Sequence, residues 1–143
     1  MKKLNLCFII VSIIVCACAT KFSGVSVVEP EIGNTVKDLQ PLIKWEQSSR
    51  ADVTYDVIIY EGLKVKSSNQ RMVGKMVYYR ENLLDTQHKV EETLKPSQDY
   101  YWSVRVRQGN TVSSWSLYNY FAFYGVGYSA GSNLPFLFKT PEK

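Results

Sequence analysis

The sequence predicts a small all-β domain of about seven strands, arranged as a β-sandwich. Aromatic residues make up 13% of the 143-residue chain and include ten tyrosines, which suit a pleated, half-buried surface. Apolar residues recur at every second position in short runs that are separated by turn-forming residues. No stretch shows the 3.6-residue stripe of an amphipathic helix. Together these patterns favour packed sheets over helical architectures.

The predicted strands follow one another at intervals of about ten residues. A first strand over 25–28 ends at Glu29-Pro30, and a turn is expected at Gly33-Asn34. The polar segment 62–75 is interrupted by glycines and is predicted to be a loop or a weak edge hairpin. The remaining candidate strands are PLIKWEQ (41–47), VTYDVIIYE (53–61), MVYYRENL (76–83), HKVEETL (88–94), YYWSVRVRQ (100–108), YNYFAFY (118–124) and PFLFKTP (135–141).

Alternation predicts which side chains of these strands face the core. In the second and third strands the inward set is Ile43, Trp45, Tyr55, Val57 and Ile59. In the strand over 100–108, the inward set is Tyr100, Trp102, Val104 and Val106. The same rule places Tyr101, Ser103, Arg105 and Arg107 on the outward face.

The N-terminus has the features of an export signal. It begins with MKK and continues with an apolar run over 6–19. A positive start followed by a short apolar run is typical of secretory signals. A helix that spans a bilayer needs about 20 apolar residues, so this run is too short for a permanent anchor.

The end of this signal, Val15-Cys16-Ala17-Cys18, resembles the lipobox of bacterial lipoproteins. The resemblance implies a signal peptide over 1–17 that is cleaved after Ala17, and acylation of Cys18. Residues 18–24 would then form a lipidated tether to a domain over 25–143. Ala19 follows the cysteine in place of aspartate, which in that family implies sorting to the outer membrane. Cys16 departs from the usual small residue, and the alternative is an ordinary cleaved signal.

Charge and cysteine content restrict the possible functions. Removing Lys2 and Lys3 with the signal would reduce 17 basic residues to 15, against 13 acidic ones. That small excess does not suit a nucleic-acid partner, which needs a clustered basic face. All three cysteines precede residue 19, so a chain acylated at Cys18 would have no free thiol and no internal disulfide.

The residues Leu94-Lys95-Pro96-Ser97-Gln98-Asp99-Tyr100 resemble the turn before the sixth strand of a fibronectin type III domain. This family belongs to the immunoglobulin-like sandwiches. The resemblance implies that Tyr100 bonds its hydroxyl back to the turn, and that Trp45 and Trp102 are structural core residues. The polar segment 62–75 and the long stretch between Trp115 and Pro135 depart from the family pattern.

Trp115-Ser116 resembles half of the Trp-Ser-x-Trp-Ser ladder of class I cytokine receptors. In that family arginines of the sixth strand stack on the tryptophans. The resemblance therefore implies a structural role for Arg105, Arg107 and Trp115, with a partial stack on the single tryptophan. The alternative is that the two arginines form an anion-binding pair.

No pattern indicates catalysis, a metal or a cofactor. His88 is the only histidine and is expected on the solvated surface, so a zinc site is not expected. Glu91 and Glu92 are adjacent in a predicted strand, so their side chains should point to opposite faces and cannot form a carboxylate pair. The serines show no nucleophile-elbow spacing. We therefore expect a protein that is not an enzyme.

The segment 117–136 is rich in aromatics and is interrupted by glycines. Its second half, 124–133, is expected to be a flexible loop that presents Tyr124 and Tyr128 as ligand-binding residues, since Tyr, Ser and Gly suit adaptable binding loops. The alternative is a hairpin whose aromatics pack on the sandwich.

These patterns predict a membrane-anchored cell-envelope lipoprotein that acts as a non-catalytic binding or scaffolding module. Its partner would be another envelope protein or a glycan, in addition to the membrane. One alternative is a carbohydrate-binding accessory lipoprotein that uses exposed tyrosines, and another is an enzyme with an unrecognised site.

Overall fold

The computed structural model describes residues 24–64, 71–124 and 128–142, and the backbone alone for residue 71 and for 118–132. The predicted signal and most of the tether lie outside these ranges. Every regular element in them is a β-strand. The ten strands are β1 (Val27–Glu29), β2 (Leu42–Trp45), β3 (Thr54–Lys64), β4 (Arg71–Leu83), β5 (Gln87–Lys89), β6 (Asp99–Gln108), β7 (Thr111–Val112), β8 (Tyr118–Tyr124), β9 (Tyr128–Leu134) and β10 (Phe136–Lys139).

The strands form two antiparallel sheets and a separate hairpin. The smaller sheet has the order β1-β2-β5, and the larger has the order β10-β6-β3-β4 with β7 beside β6. Strands β8 and β9 pair only with each other among the described elements. The prediction of an all-β sandwich is confirmed, whereas the prediction of about seven strands was too low.

The core lies between the inner faces of the two sheets. Burying apolar side chains there provides the main driving force for folding. Trp45 and Trp102 are 3% and 0% exposed. The core consists of Ile43, Trp45, Tyr55, Val57, Ile59, Tyr78, Val90, Leu94, Tyr100, Trp102, Val104, Val106 and Phe138. It includes every residue that alternation placed inward on the second, third and sixth strands.

The described residues of segment 62–75, which are 62–64 and 71–75, are all strand. β3 continues to Lys64 and β4 begins at Arg71, with Gly62 opposite Val73. Gly62 is required where β3 passes β6, because a Cβ there would lie 2.8 Å from the Cβ of Asp99. Of the two structures considered for this segment, the edge hairpin is therefore the observed one.

The two edges of the larger sheet differ. Along β10, residues 33–36 add backbone hydrogen bonds: Gly33 N–H donates to Leu137 O at 2.7 Å, and Val36 N–H donates to Lys139 O at 2.8 Å. Gly33 has a φ of +81°, which glycine adopts without strain. The β10 edge is therefore covered, whereas β4 forms the opposite edge of the sheet.

The turn before β6 is fixed by side-chain hydrogen bonds. Lys95 N–H donates to the Tyr100 hydroxyl at 3.0 Å, which is the bond expected from the sequence. Thr140 joins the C-terminus to the same turn, because its Oγ1 accepts from Gln98 N–H at 2.9 Å and donates to Lys95 O at 2.6 Å. These bonds set where β6 begins, and hence which side chains it presents on each face.

Candidate functional site

The edge strand that follows β6 in the sequence is interrupted. β7 pairs with the C-terminal end of β6, whereas β10 pairs with its N-terminal end, from Phe136 opposite Trp102 to Lys139 opposite Asp99. The β8–β9 hairpin, residues 118–134, is inserted between these two stretches. Because both stretches are bonded to the same strand, the two ends of the hairpin are held at fixed positions on the sheet edge.

Two serines hold the chain against β6 between β7 and the hairpin. Ser113 N–H donates to Val106 O at 2.9 Å, and Val106 N–H donates to Ser113 Oγ at 3.0 Å. Ser116 repeats the arrangement with Val104, at 2.8 Å and 3.0 Å. Each serine therefore bonds both backbone groups of one β6 residue: its Oγ accepts from the N–H of that residue, and its own N–H donates to the carbonyl oxygen. Ser103 Oγ also donates to Ser116 O.

A buried carboxylate organises the outer face of the larger sheet. The side chain of Asp56 is 0% exposed, and those of Arg105 and Arg107 are 20% exposed. Arg105 Nε lies 2.7 Å from Asp56 Oδ2, and Arg107 donates to both carboxylate oxygens, at 3.0 Å and 2.7 Å. Asn82 N–H donates to Oδ1 at 3.3 Å. The burial of this anion is therefore matched by charge-assisted bonds.

The ionisation of Asp56 follows from these contacts. Burial acts to raise the pKa of its carboxyl, but the hydrogen bonds from Arg107, Arg105 and Asn82 outweigh burial, and the net pKa is lowered. Asp56 also raises the pKa of Arg107. The Asp56 carboxylate and the Arg107 guanidinium are therefore both charged at neutral pH.

Trp115 covers one of the two arginines. The Arg105 guanidinium carbon lies 4.4 Å from the centre of the Trp115 ring, within the range of a cation–π contact. Arg105 Nη2 also donates to the Tyr79 hydroxyl at 3.3 Å, and Arg107 Nη2 lies 3.1 Å from Glu81 Oε2. The partial stack expected for a single tryptophan is thus present.

Two sequence-based expectations about this face need correction, and the alternative considered for its arginines is not observed. Tyr101 and Ser103 are buried, at 3% and 1%, rather than outward-facing on the surface. The two arginines do not form a free anion-binding pair, because their shared counter-ion is Asp56. Sequence reasoning missed Asp56 and Ser113. The Val-Ser-Ser-Trp-Ser run over 112–116 contained a signal for Ser113, since its serines have the spacing of the Trp-Ser-x-Trp-Ser pattern.

The flexible loop expected over 124–133 is instead strand in its described residues, 124 and 128–133, so the backbone is that of the hairpin considered as the alternative. β8 and β9 pair from Tyr118 opposite Leu134 to Tyr124 opposite Tyr128, so the two tyrosines proposed as ligand-binding residues face each other across the hairpin. Their side chains lie outside the described part of the structure, as do Ala17 and Cys18. The proposed roles of these four residues therefore stay predictions.

His88 was expected on the solvated surface but is half-buried. Its Nε2 lies 2.6 Å from the Tyr78 hydroxyl, and the two rings stack with their centres 5.9 Å apart. Burial lowers the pKa of His88, so at neutral pH the imidazole is uncharged and shares one hydrogen bond with the neutral Tyr78 hydroxyl. Together with the Arg80–Glu91 ion pair, this contact joins the edge strands of the two sheets. These contacts assign His88 a structural role at the junction of the two sheets.

The described clefts are open and of mixed charge. One of them, with a volume of about 490 Å³, runs beside β1 and β2 and contains the Glu29–Lys44 ion pair, at 2.8 Å. Over residues 24–64, 71–124 and 128–142, no group of three or more His, Cys, Asp or Glu side chains could hold a metal ion. The same residues include no helix that is long and apolar enough to cross a membrane.

Comparison of the chain with protein-family models, with curated proteins and with solved structures finds no match. Interpretation of the site therefore depends on its geometry and on the sequence patterns alone.

Proposed function

We propose that this chain is a lipid-anchored protein of the cell envelope whose fibronectin type III-like sandwich acts as a non-catalytic binding or scaffolding module. The observation that carries the proposal is the interrupted edge strand. A hairpin rich in Tyr, Gly and Ser leaves the sheet between two stretches that are each bonded to β6. A rigid framework that positions an adaptable segment is the usual arrangement of a binding module.

Several features support the family assignment within this proposal. The fourth strand pairs with the third in the larger sheet, and the smaller sheet retains the first, second and fifth strands, an arrangement that suits a fibronectin type III-like sandwich. The Tyr100 hydroxyl accepts from Lys95 N–H, as in a tyrosine corner. The stacked Arg105 and Trp115 fit the partial ladder. Because Asp56 occupies both arginines, binding is assigned to the hairpin.

The anchor is supported by the sequence of residues 15–18. Cys18→Ser should produce a chain without the lipid that no longer partitions into membranes. Two or more acyl chains hold a protein stably on a bilayer, at about 0.8 kcal/mol per buried methylene. Membrane fractions are washed at high salt and probed for the chain. Retention of the Cys18→Ser variant after this wash would show that the lipid is not the anchor.

The binding role is tested by changing both tyrosines that face each other in the hairpin. Tyr124→Ser with Tyr128→Ser should leave the melting temperature almost unchanged and weaken capture of the partner, because exposed tyrosines provide contact area at low entropic cost. Capture is measured by crosslinking the native protein in its own envelope and identifying the products by mass spectrometry. Ser129→Ala with Ser132→Ala serves as a matched control in the same hairpin.

Two outcomes of this experiment would change the proposal. If the double tyrosine variant unfolds the domain, these aromatics are part of the core and the hairpin is structure. If crosslinks are unaffected while a polysaccharide pull-down is lost, the module binds carbohydrate. The latter function would use the same two tyrosines as a stacking surface.

A further inference from the structure

Four side chains from the edge strands of the two sheets meet on one side of the sandwich. Tyr78 and Arg80 belong to β4 of the larger sheet, His88 belongs to β5 of the smaller sheet, and Glu91 lies just beyond β5. Among the described strands, β4 pairs with β3 and β5 pairs with β2. Side chains therefore join β4 to β5, and we call these four residues the junction cluster.

The groups of the junction cluster satisfy one another while the imidazole is neutral. His88 Nε2 lies 2.6 Å from the Tyr78 hydroxyl, and the two rings stack with their centres 5.9 Å apart. The Arg80 guanidinium carbon lies 5.8 Å from the centre of the Tyr78 ring. Arg80 Nε and Nη2 both donate to the same carboxylate oxygen of Glu91. The Tyr78 ring thus contacts one cation, and Glu91 already pairs with that cation.

Protonation of His88 would change this balance of charge. The imidazolium would be a second cation on the Tyr78 ring, and it would share Glu91 with Arg80. The hydrogen bond can persist, because the imidazolium donates from Nε2 and the hydroxyl oxygen accepts. The cost is that of holding a charge in a half-buried position, where the nearby carboxylate is already paired.

The smaller sheet does not offset that cost. Ile43 lies directly opposite His88 on β2 and is fully buried. Lys44 and Lys89 are the other charged residues of β2 and β5, and alternation directs them to the opposite face of the smaller sheet. In the described structure, the titratable groups that face His88 are therefore those of the junction cluster.

The pKa of His88 has the direction that this geometry implies. Burial is the main cause that lowers it below 6.5, and Arg80 adds to the effect, whereas Glu91 acts in the opposite direction. A lowered folded-state pKa means that the stabilising contribution is complete above the unfolded-state pKa of about 6.5. The contribution is lost as the pH falls from there through the folded-state pKa.

We propose that the junction cluster is an acid-sensitive latch between the two sheets. While His88 is neutral, it holds β5 against β4. When His88 takes up a proton, hydration of the imidazolium favours an open form in which β5 separates from β4. The opening is local, because β5 has only three residues and lies at the edge of its sheet, and short edge elements open at low free energy. The domain therefore loosens on this side in acid.

The first test follows the imidazole itself. The chain has one histidine, so the imidazole C–H signals in NMR spectra of the full chain in detergent give a single titration curve. Its midpoint should lie below 6.5. Arg80→Gln removes the competing cation and should raise the midpoint, whereas Glu91→Gln removes the anion and should lower it. Lys64→Gln and Glu142→Gln change charge at exposed positions outside the cluster and should leave it unchanged.

The second test measures stability as a function of pH. Between pH 7.5 and pH 5.5, the unfolding equilibrium constant of the parent should rise by up to about tenfold more than that of His88→Gln, because unfolding of the parent takes up one proton in this range. Histidine is the side chain whose ordinary pKa lies in this range. Glutamine can bond to the Tyr78 hydroxyl but does not ionise, so only the pH dependence is compared. Urea unfolding followed by tryptophan fluorescence provides the constants.

Amide hydrogen exchange separates a latch from a general loss of stability. After correction for the intrinsic effect of pH on exchange, the amides of Gln87–Lys89 should exchange faster in acid, and by a larger factor than those of Val104 and Val106 within the larger sheet. In His88→Gln this difference between the two strands should disappear.

Three results would overturn the proposal. A titration midpoint at or above 6.5 would show that the folded structure does not oppose the charge on His88. Equal pH dependence in the parent and in His88→Gln would show that unfolding is not linked to this histidine. A uniform rise of exchange in β5 and β6 would show that protonation destabilises the whole domain and that the junction is not a latch.

Discussion

The inner and outer faces of β6 are both largely buried, but different interactions hold them in place. On the inner face, Trp102, Val104 and Val106 are 0% exposed and contact other apolar side chains. On the outer face, Ser103 and the two arginines bond to a serine, a tryptophan and a buried aspartate. Apolar packing tolerates substitutions of similar volume, whereas a buried ionic network depends on every partner.

This difference implies two distinct responses to mutation. Losing inner-face volume leaves a cavity, and its cost depends on how far the surroundings can relax. Losing an outer-face partner leaves a charge or a backbone group without its bond, at a cost set by desolvation. Substitutions on the two faces separate these mechanisms.

The largest effect is expected from Trp102→Ala on the inner face. Removing a fully buried indole should lower the free energy of unfolding by about 3–5 kcal/mol, a large part of the stability of a typical domain. Urea unfolding followed by circular dichroism measures the change. Trp115→Ala removes the same side chain from a half-buried position and should cost clearly less. Equal losses in the two variants would show that the two faces do not differ as described.

On the outer face, Asp56→Asn should cost about 3 kcal/mol, because it leaves two guanidinium groups without their counter-ion. The 20% exposure of each arginine keeps the loss near the lower end of the range for buried ion pairs. Asp85→Asn makes the same change at an exposed position and should be nearly neutral. A loss no larger than that of the Asp85 variant would show that the network does not stabilise the fold.

The Asp56 contribution should also depend on pH, with a predictable sign. The folded-state pKa of Asp56 is lowered, so its stabilising contribution is complete above the unfolded-state pKa of about 4. It is lost as the pH falls through the folded-state value. The stability difference between the parent and Asp56→Asn should therefore shrink as the pH is lowered below about 4, in unfolding curves recorded across that range.

The serines should have the next largest effect. Ser113→Ala and Ser116→Ala leave the Val106 and Val104 N–H groups without their acceptors, at about 1–3 kcal/mol each. Ser114 lies between these two serines and its side chain is exposed, so Ser114→Ala is the matched control. Amide hydrogen exchange at Val104 and Val106 provides a local readout, and unchanged protection there would contradict the assignment of these bonds.

The smallest effect is expected for the stacked ring. Trp115→Leu should cost about 1 kcal/mol by removing the π face over Arg105. Trp115→Phe keeps a π face and should recover part of the loss. If the phenylalanine variant is no more stable than the leucine variant, the contact acts through apolar covering alone.

The sequence predicted the inner face well because strand periodicity carries the necessary information. Every second residue from Tyr100 to Val106 is apolar, and each of these residues is in the core. The bond from Lys95 to Tyr100 was also predictable, because a local turn determines it. These features depend on short stretches of chain and on the preference of apolar groups for the interior.

The outer face was less predictable because its partners come from distant strands. Asp56 alternates with apolar residues and so looks like a surface residue until Arg105 and Arg107 are set beside it. Strand β9 is composed of small and polar residues whose pairing with β8 is not evident from their own preferences. Tyr101 and Ser103 were assigned to the surface because alternation states which face a residue occupies, and not whether that face is covered.

The division of one edge strand into two separately bonded stretches also bears on how such a chain can change over evolutionary time. The insert between them begins and ends at positions that the serines and β10 already determine. Lengthening a connection costs little conformational free energy, so its residues could be exchanged for others without disturbing the register on either side. The insert can therefore diverge under selection while the sandwich around it is conserved.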